Sequence, residues 1–432
     1  MFKRIPNGMM IHYEIYGKEE GYPLLFLHGN NESIEVFSYF FDKLKDYKLI
    51  FIDSRCHGES SNGPLHFDLM KEDILEFVNE MNIDRYSVIG FSDGAIISIL
   101  MSLETSKIDK MFLIGPNLNP LGLTIDAINS MRIDYEISES PYLKLDLEEP
   151  NIDPLELEKV NSRAIIIGGS EDLIRREHLE LINKSFKNST MYILENTDHM
   201  IPLTNPKSLL EIIENELKVN VYYEDNHVIV VEKPVGILSQ EDSSGDDDIL
   251  TITKNYLKVK YHKPGNVYLG LVQRLDRNVS GLMVLSKTSK ASARLNENRP
   301  KKTYLACAYY KFEKSEDTLI NYISKDEEKK IAYLDDDNGK IAILRYKVLD
   351  YVDNMSFLDV SIETGRFHQI RFQLSNIGHP LYNDSKYNPG LTRDGFDLGL
   401  DAYKVEFIHP TNGKIITIER MPMRYPFNKI NK

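Results

Sequence analysis

The feature that most constrains the fold is the alternation of short apolar runs with helix-like segments in the first half of the chain. Segments of helical character, such as Met70–Met81 and Glu177–Ser185, separate most of the apolar runs. Alternating strands and helices build a parallel sheet covered on both faces. A dinucleotide-binding version would carry a glycine-rich fingerprint after the first strand, and this sequence has none there. We therefore predict a doubly wound α/β sheet. The predicted strands are Leu24–Leu27, Leu49–Ile52, Tyr86–Ile89, Met111–Ile114, Ala164–Ile167 and Met191–Leu194.

Length and charge indicate a second domain. The chain has 432 residues, which exceeds what a single hydrophobic core usually supports. Residues 1–219 carry 21 Lys and Arg against 37 Asp and Glu, a net charge of −16, whereas residues 220–432 carry 31 against 29. An acidic helix-like segment, Ser208–Leu217, is followed directly by a strand-rich pattern. We predict one domain over residues 1–219 and another over residues 220–432.

The most specific short motif of the first half is Gly90-Phe91-Ser92-Asp93-Gly94, which directly follows a predicted strand. This pattern is typical of a nucleophile elbow, a tight strand-to-helix turn that lifts a serine above the sheet edge. Glycines are needed because the turn leaves no room for larger side chains. The apolar segment Ala95–Met101 supplies the helix that must follow. Ser92 is therefore the candidate nucleophile.

Two further residues complete a candidate triad in the order serine, acid, histidine. Asp172 and His199 each follow a predicted strand, where functional groups gather in open α/β sheets. His199 would take the proton of Ser92, and Asp172 would orient the imidazole and stabilise its charged form. The backbone N–H groups of Asn30, just after an early strand, and of Asp93 are the expected oxyanion donors.

Residues 1–219 together resemble a compact α/β-hydrolase. The resemblance implies a serine hydrolase that acts on a small ester, thioester or related acyl compound. The segment from Asn117 to Leu155 occupies the usual position of a cap and is too poorly patterned to indicate a substrate. The alternative is a hydrolase fold that has lost its activity and serves as a spacer or dimerisation module.

Three segments of the second half carry chemistry. Arg274-Leu275-Asp276-Arg277 enters a small-residue turn before an apolar strand, and Lys302-Thr303-Tyr304 opens another strand. Gly365-Arg366-Phe367-His368-Gln369-Ile370-Arg371 follows nearer the C-terminal end. Taken singly these segments are uninformative, because an aspartate between two arginines also fits a surface ion-pair cluster. They become informative only because all three occur together and in this order.

In this order the segments resemble the RluA-like family of pseudouridine synthases, over about residues 220–425. The resemblance implies a mixed, mainly antiparallel sheet with flanking helices, and a substrate that is structured RNA, either rRNA or tRNA. It implies that Asp276 is the nucleophile of a reaction that cleaves the uridine glycosidic bond and rejoins the base through carbon. It further implies that Tyr304 packs against the target base and that Arg366 pairs with Asp276. His368 is expected to be structural.

Positive charge is concentrated near this motif. Residues 251–302 hold 12 basic residues against only Asp276 and Glu297, which predicts a phosphate-contacting surface. A solvated lysine-rich face fits the charge alone equally well. The acidic first half should repel RNA, so binding is expected only on the second half. The predicted RNA-binding residues are Arg274, Arg277, Lys302 and Arg371.

The remaining sequence features concern compartment and cofactors. Cys56 and Cys307 lie one in each half, which predicts reduced thiols rather than a disulfide framework or a metal cluster. The first residues lack a secretory pattern, and no segment approaches the roughly 20 apolar residues of a membrane span. We predict a cytoplasmic protein, and the resemblance of the second half implies a reaction that needs no metal or organic cofactor.

Two rival interpretations stay open at this point. In one, the second half only binds RNA, as a chaperone or assembly factor with a dormant Asp276. In the other, the hydrolase is the sole activity and the RNA domain targets it to ribosomes. The joint presence of Asp276, Tyr304 and Arg366 argues against the first rival.

Overall fold

The computed structural model describes residues 1–392, 397–422 and 424–430. The chain divides into two compact units, Met1–Glu214 and Asn215–Lys432, each with its own hydrophobic core. The division falls inside a helix, Pro206–Lys218, shortly before the predicted boundary at 219/220. None of the helices within the described ranges has the length and apolarity that crossing a bilayer requires.

The first unit is built on an eight-stranded sheet. Its strands are β1 (Phe2–Arg4), β2 (Met10–Gly17), β3 (Pro23–Leu27), β4 (Lys48–Ile52), β5 (Tyr86–Phe91), β6 (Ile108–Ile114), β7 (Arg163–Gly169) and β8 (Ser189–Leu194). The order across the sheet is β1-β2-β4-β3-β5-β6-β7-β8. Strands β1 and β2 pair antiparallel, as do β2 and β4, and the other pairs are parallel. Strands β3 and β5–β7 are buried along almost their whole length because helices cover both faces, although β6 also carries Asp109 and Lys110. The predicted fold class of this half is confirmed.

Helices separate these strands as predicted, and the structure adds two helices that were not predicted. Helix α2 packs against β5, β6 and α1, and α5 packs against β7 and β8. The addition is a pair of helices in the cap segment, α3 and α4. Helix α3 has no fully buried residue, although Ala127, Ile128 and Met131 pack partly buried against the core. A helix that buries so little has only a weak apolar period in its sequence. The helices are α1 (Phe67–Glu80), α2 (Asp93–Glu104), α3 (Ile125–Ser138), α4 (Pro141–Glu148), α5 (Arg176–Ser185), α6 (Ile201–Thr204) and α7 (Pro206–Lys218), with 3₁₀ turns at Ile34–Phe40, Pro120–Gly122 and Pro154–Lys159.

The second unit contains an 11-stranded sheet. Its strands are β9 (Asn220–Glu224), β10 (Val228–Lys233), β11 (Gly270–Leu271), β12 (Ser280–Ser286), β13 (Lys301–Tyr309), β14 (Glu316–Asp326), β15 (Ile331–Leu334), β16 (Lys340–Val352), β17 (Met355–Ile362), β18 (Leu400–Ile408) and β19 (Ile415–Glu419). The order is β15-β14-β16-β17-β13-β18-β12-β10-β9, with β11 paired to β12 and β19 to β18. Among the described strands β12 and β18 pair parallel and the other pairs are antiparallel. The predicted mixed, mainly antiparallel sheet is confirmed.

Among the described residues three helices accompany this sheet, and side-chain caps fix the starts of two of them. The side chains of Asp248 and Thr288 accept hydrogen bonds from the third residue of the helix that each precedes. The third helix instead starts after His368, which has a left-handed φ of 51°. The helices are α8 (Ile249–Lys260), α9 (Ser289–Glu297) and α10 (Gln369–Asn376), with 3₁₀ turns at Pro389–Leu391 and Phe427–Lys429.

Candidate active sites

Ser92 lies in a strained turn between β5 and α2, with φ of 50° and ψ of −113°. Such backbone angles are uncommon for a residue other than glycine and concentrate at functional sites. Close contacts explain the glycines beside it. A Cβ atom on Gly90 would lie 2.3 Å from the carbonyl oxygen of Gly94, and one on Gly94 would lie 2.0 Å from that of Leu27. The turn therefore has the shape that the sequence motif predicts.

The structure brings Ser92, His199 and Asp172 together. His199 Nε2 lies 3.1 Å from Ser92 Oγ, and His199 Nδ1 lies 2.7 Å from Asp172 Oδ1. The carboxylate of Asp172 only accepts hydrogen bonds, so Nδ1 of His199 carries the proton and Nε2 is free to accept one from the Ser92 hydroxyl. This arrangement is that of a serine activated by a histidine base.

The acid of this relay is held in its ionised form. Burial on its own would raise the pKa of Asp172, but the hydrogen bond and charge of His199 lower it below the usual value. The amides of Ile174 and Gly169 also donate to the carboxylate, at 3.0 and 3.2 Å. Asp172 therefore remains an anion that can stabilise a charged imidazole.

A residue that sequence analysis missed makes room for the histidine. Gly115 follows β6 with φ of 60°, and a Cβ atom on it would lie 2.6 Å from His199 Cε1. A larger residue would push the imidazole away from Ser92 or distort the strand end. The signal in the sequence is a glycine directly after an apolar strand, which is too common to identify the position alone.

A cavity of about 150 Å³ opens beside the triad, and both predicted oxyanion donors line it. Neither the N–H of Asn30 nor that of Asp93 finds an acceptor among the residues that the structure describes. Asp93 is also the first residue of α2, where backbone N–H groups have no partner within the helix. Both amides are therefore open to a substrate oxygen, and their oxyanion role remains a prediction.

Three carboxyl groups, Glu32, Asp93 and Asp146, line the same cavity, and sequence analysis gave none of these side chains a role. Asp146 comes from α4, and its Oδ2 accepts a hydrogen bond from Asn30 Nδ2 at 2.7 Å. Burial raises the pKa of Asp146 to about 6. Burial, followed by the charges of Asp146 and Glu32, raises the pKa of Asp93 well above its usual range. No pattern in the sequence indicated that a residue of the cap segment reaches this site.

In the second unit, the predicted nucleophile Asp276 is half-buried in the loop between β11 and β12. Its Oδ2 lies 3.7 Å from Arg371 Nη1 and 3.5 Å from His368 Nε2. Burial raises the pKa of Asp276, and the positive charges of Arg371, Lys233 and Lys386 oppose that shift. The carboxyl group of Asp276 is therefore close to three basic side chains, Arg371, Lys233 and Lys386.

The predicted pairing of Arg366 with Asp276 is wrong. Arg366 Nε donates to the carbonyl oxygen of Ile341 at 2.9 Å, and Arg371 is the arginine beside Asp276. Arg371 is itself fixed, because its Nε and Nη2 donate to both oxygens of the buried Asp384 at 2.8 and 2.6 Å. The left-handed turn before α10 separates the two arginines: Arg366 stays in the loop, whereas Arg371 lies on the buried side of the first helical turn.

Two of the predicted RNA-binding residues, Arg371 and Lys302, are buried, so the structure does not expose them as contacts for RNA. The guanidinium of Arg371 is enclosed by its partners. Lys302 is 8% exposed, and its Nζ has no hydrogen-bond partner among the described residues. Strand alternation explains the second case, because Lys301 points to solvent and the next side chain must point inward. Burial, followed by the charge of Lys233, lowers the pKa of Lys302 to about 7.

The other two predicted RNA contacts are accessible to different degrees. Arg274 is exposed, as an RNA contact requires. Arg277 is partly exposed, with Nε donating to the carbonyl oxygen of Gly236 at 2.9 Å and Nη1 lying 2.7 Å from Asp246 Oδ2. The RNA-binding role of Arg274 and Arg277 stays a prediction.

Lys233, which sequence analysis did not single out, fixes the Asp276 loop. Its fully buried Nζ donates to the carbonyl oxygens of Pro234, Ile237 and Arg277 at 2.9, 2.7 and 3.1 Å. Burial lowers the pKa of Lys233 to about 7, although the charge of Asp276 opposes that shift. The ammonium thereby ties the loop to the turn after β10.

Tyr304 and His368 are the other two side chains next to Asp276. Tyr304 is buried in β13, and burial followed by the charge of Asp276 raises its pKa, so the hydroxyl is neutral. Burial and the charge of Arg371 lower the pKa of His368 to about 3. Its Nε2 accepts from Arg371 Nη1 at 3.1 Å, so its Nδ1 donates to the hydroxyl of Tyr387 at 3.0 Å. The imidazole is therefore neutral, and both of its nitrogens are hydrogen-bonded; its structural role stays a prediction.

Comparison with known proteins identifies both halves. Residues 227–376 match the family model for RNA pseudouridylate synthase, and residues 22–136 match that for the alpha/beta hydrolase fold. An uncharacterized RNA pseudouridine synthase of Bacillus subtilis, YhcT, is 28% identical over 58% of this chain and 83% of its own. Ribosomal large subunit pseudouridine synthase C of Rickettsia bellii is 32% identical over 48% of this chain and 69% of its own.

One solved structure is similar to the other half. An esterase from Exiguobacterium antarcticum is 21% identical, with a TM-score of 0.44, over 50% of this chain and 99% of its own. The segment that matches the synthase family contains Asp276, Tyr304 and Arg371. The chain thus belongs, through its second unit, to the RNA pseudouridine synthase family, and its first unit has the α/β-hydrolase fold.

Proposed function

We propose that the second unit isomerises a uridine in structured RNA to pseudouridine, with Asp276 as the nucleophile. The observation that carries this proposal is the carboxyl group of Asp276 facing Arg371, whose own position is fixed by Asp384. Carboxylates act as nucleophiles in covalent catalysis at sugar carbons. The family membership of the unit supports the class of reaction.

The reaction breaks the bond between C1′ and N1 of uridine and forms one between C1′ and C5. The proton that leaves C5 is balanced by one gained at N1, so substrate and product are isomers. Asp276 must be ionised to attack, and Arg371, Lys233 and Lys386 favour that form against the effect of burial. Tyr304 supplies a buried wall next to the carboxylate, which excludes water once a base has entered.

The target uridine must leave its stack or lie in a loop, because a base within a helix does not expose its sugar carbon to a protein carboxylate. We place rRNA ahead of tRNA as the substrate. The support is the name of the Rickettsia relative, a ribosomal large subunit pseudouridine synthase. Arg274, exposed two residues from Asp276, is a predicted phosphate contact.

The test maps pseudouridines by carbodiimide modification in rRNA and tRNA from cells that lack the chain. Complementation uses the wild type, Asp276→Asn and, as a matched control, Asp336→Asn, which removes an exposed carboxylate. We expect at least one site to vanish, to return with the wild type and the control, and to stay absent with Asp276→Asn. If no site depends on the chain, or Asp276→Asn restores it, the proposal is wrong.

We further propose that the first unit is a serine hydrolase of a small ester or thioester, with Ser92, His199 and Asp172 as its triad. The specific observation is the unbroken relay of 3.1 and 2.7 Å between these side chains. The cavity of about 150 Å³ limits the group that fits beside Ser92 to a small one, since cavities of about that volume accept a molecule the size of benzene.

A fluorophosphonate probe tests this second function. The wild type and Ser98→Ala, which alters a buried serine of the same helix, should be labelled, and Ser92→Ala should not. Equal labelling of wild type and Ser92→Ala would contradict the triad assignment. Absence of labelling in all three proteins would make the first unit an inactive scaffold and leave RNA modification as the sole activity.

A further inference from the structure

The imidazole of His368 lies between Arg371 and Tyr387, and each of them contacts one of its nitrogens. Arg371 Nη1, which can only donate, lies 3.1 Å from Nε2. The other two guanidinium nitrogens, Nε and Nη2, donate to the two oxygens of Asp384, so the guanidinium cannot turn away. Nε2 of His368 therefore carries no proton, and the single proton of the neutral ring lies on Nδ1.

The hydroxyl of Tyr387 receives that proton. Nδ1 of His368 lies 3.0 Å from the hydroxyl oxygen, and the backbone N–H of Ala332, in the edge strand β15, donates to the same oxygen at 2.7 Å. A phenol oxygen that accepts one N–H still accepts a second. The backbone N–H of Tyr387 donates in turn to Asp384 Oδ1 at 3.3 Å. Asp384 thus holds both neighbours of the imidazole in place.

The tautomer decides what His368 presents to the nucleophile. Nε2 lies 3.5 Å from Asp276 Oδ2, and Arg371 Nη1 lies 3.7 Å from the same oxygen. With the proton on Nδ1, the ring has no hydrogen to give to Asp276. With the proton on Nε2, the ring would donate to Oδ2 and would face Arg371 donor to donor. A hydrogen bond to a carboxylate oxygen stabilises its lone pair and weakens it as a nucleophile.

The orientation of the ring is fixed as well, which leaves only the place of the proton to be decided. Phe367 stacks on His368, with centroids 3.9 Å apart and planes 19° apart, and Tyr387 meets the ring edge-on at 5.7 Å and 80°. Burial, followed by the charge of Arg371, lowers the pKa of His368 to about 3, so the ring stays neutral near pH 7. The hydroxyl of Tyr387 therefore acts on the position of one proton and not on a charge.

We propose that Tyr387 is a positioning residue for the isomerisation: its hydroxyl accepts the Nδ1 proton of His368 and so keeps Nε2 an acceptor beside Asp276. The inference rests on the function proposed for the second unit. The hydrogen that faces Asp276 then comes from Arg371 and not from His368, and the nucleophilic oxygen stays open to attack. This role is separate from that of Tyr304, which forms a buried wall next to the carboxylate.

NMR of the full chain with ¹⁵N-labelled histidine tests the placement of the proton, because protonated and unprotonated ring nitrogens resonate far apart. His368→Asn identifies the signals of this ring by their loss. In the wild type we expect the proton on Nδ1. Tyr387→Phe removes only the hydroxyl and leaves a buried N–H without an acceptor, which is costly, so a form protonated on Nε2 should appear. If the ring of Tyr387→Phe keeps its proton on Nδ1 as fully as the wild type does, the inference is overturned.

The control is Tyr403→Phe. Tyr403 is a buried tyrosine of β18 whose hydroxyl donates to Asp359 Oδ2 at 2.7 Å, so its variant also loses a hydroxyl and a hydrogen bond within the same sheet. The signals of His368 should be unchanged in this variant. A form protonated on Nε2 in both variants would show that any lost hydroxyl disturbs the ring, and it would overturn the specific role of Tyr387.

Single-turnover formation of pseudouridine, in an RNA fragment that carries a site dependent on this chain, measures the effect on the chemical step apart from binding. Loss of a partner that orients a ligand of a metal site usually costs about 10–100-fold, and we expect Tyr387→Phe to lower the rate by about the same factor. Its affinity for the RNA should equal that of the wild type, and Tyr403→Phe should match the wild type in both. An unchanged rate, or a loss of affinity alone, would overturn the inference.

The two measurements separate this inference from the proposed function. If no pseudouridine depends on the chain, the proposed function fails, whereas a proton shift in Tyr387→Phe still supports the control of His368 by Tyr387, because NMR needs no turnover. If a site depends on the chain and on Asp276 but forms at the wild-type rate with Tyr387→Phe, the proposed function stands and the positioning role of Tyr387 does not.

Discussion

The two sites surround their nucleophiles with charge of opposite sign. Ser92 is neutral, is activated by His199, and opens on a cavity lined by three carboxyl groups. Asp276 is an acid near Arg371, Lys233 and Lys386. The difference follows from the chemistry that each nucleophile needs: a hydroxyl must lose its proton to a base, whereas a carboxyl group must be kept ionised.

The same contrast extends to the ligands. A cluster of carboxyl groups attracts cations and repels phosphate, whereas a basic surface attracts the RNA backbone. The net charges of the two halves of the sequence have the corresponding signs. One chain therefore presents two local fields of opposite sign.

Replacing either nucleophile should have the largest effect, and that effect should be confined to the activity of its own site. Asp276→Asn should lower pseudouridine formation by about 10⁴-fold or more, and Ser92→Ala should lower ester hydrolysis comparably, as removal of covalent nucleophiles does. Each variant should leave the other activity within about twofold of the wild type, since the effects of substitutions that share no contacting residues are usually independent. Both assays are run on both proteins. A large loss in the exchanged assay would show that the two sites are not independent.

Replacing Arg371 should have the next largest effect. Arg371→Met leaves Asp384 buried and unpaired, which should destabilise the second unit by about 3–5 kcal/mol and abolish pseudouridine formation. The control is Arg366→Met, which removes a part-exposed side chain and should cost less than about 1 kcal/mol. Calorimetric melting of the full chain reports each unit as its own transition. An equal cost for the two variants would contradict the assignment of Arg371.

Gly115→Ala should have an intermediate effect confined to the first site. The added Cβ would lie 2.6 Å from the His199 ring and displace the ring from Ser92. Ester hydrolysis should fall by about 10²-fold, because a catalytic group misplaced by about 1 Å can cost that much in rate. Gly8→Ala is the matched control, because Gly8 also has a positive φ but a Cβ there meets nothing within 4 Å. A similar loss in both variants would attribute the effect to backbone strain.

The smallest expected effect is a pH shift at the second site. Pseudouridine formation should rise with pH as Asp276 ionises, because only the carboxylate attacks. Lys386→Met removes a cation that lowers the pKa of Asp276, so that pKa should rise and the midpoint of the pH–rate profile should move to higher pH. The rate below the midpoint should fall by less than about threefold, since Lys386 is exposed and its charge is screened. Lys340→Met, another exposed lysine, should not move the midpoint, and a shift to lower pH would contradict the role of Lys386.

Local patterns carried much of the prediction. The six predicted strands of the first half all form, because each has an apolar run that buries at least one of its faces. The elbow at Ser92 is also local, since its glycines are dictated by contacts within one turn and with the adjoining strand. The mixed sheet of the second half followed from motif order rather than from periodicity.

Side-chain direction was not predictable. Arg366 and Arg371 are five positions apart in one motif, and only the left-handed turn at His368 decides which of them faces Asp276. Lys302 illustrates the same limit, because a lysine in a strand points to solvent or into the protein according to a register that its charge does not reveal.

The sequence by itself determined the classes of the two domains and the order of Ser92, Asp172 and His199, because these depend on apolar runs and turn glycines along the chain. The prediction of Asp276 as the nucleophile came from the resemblance of its motifs to a known family. Only the tertiary structure decided that Arg371 supports Asp276 and that Asp146 reaches the cavity beside Ser92. The physical reason is that both depend on which side chains meet across long stretches of chain. Burial, charge and hydrogen bonding between such partners arise only once the sheets and the cap have packed.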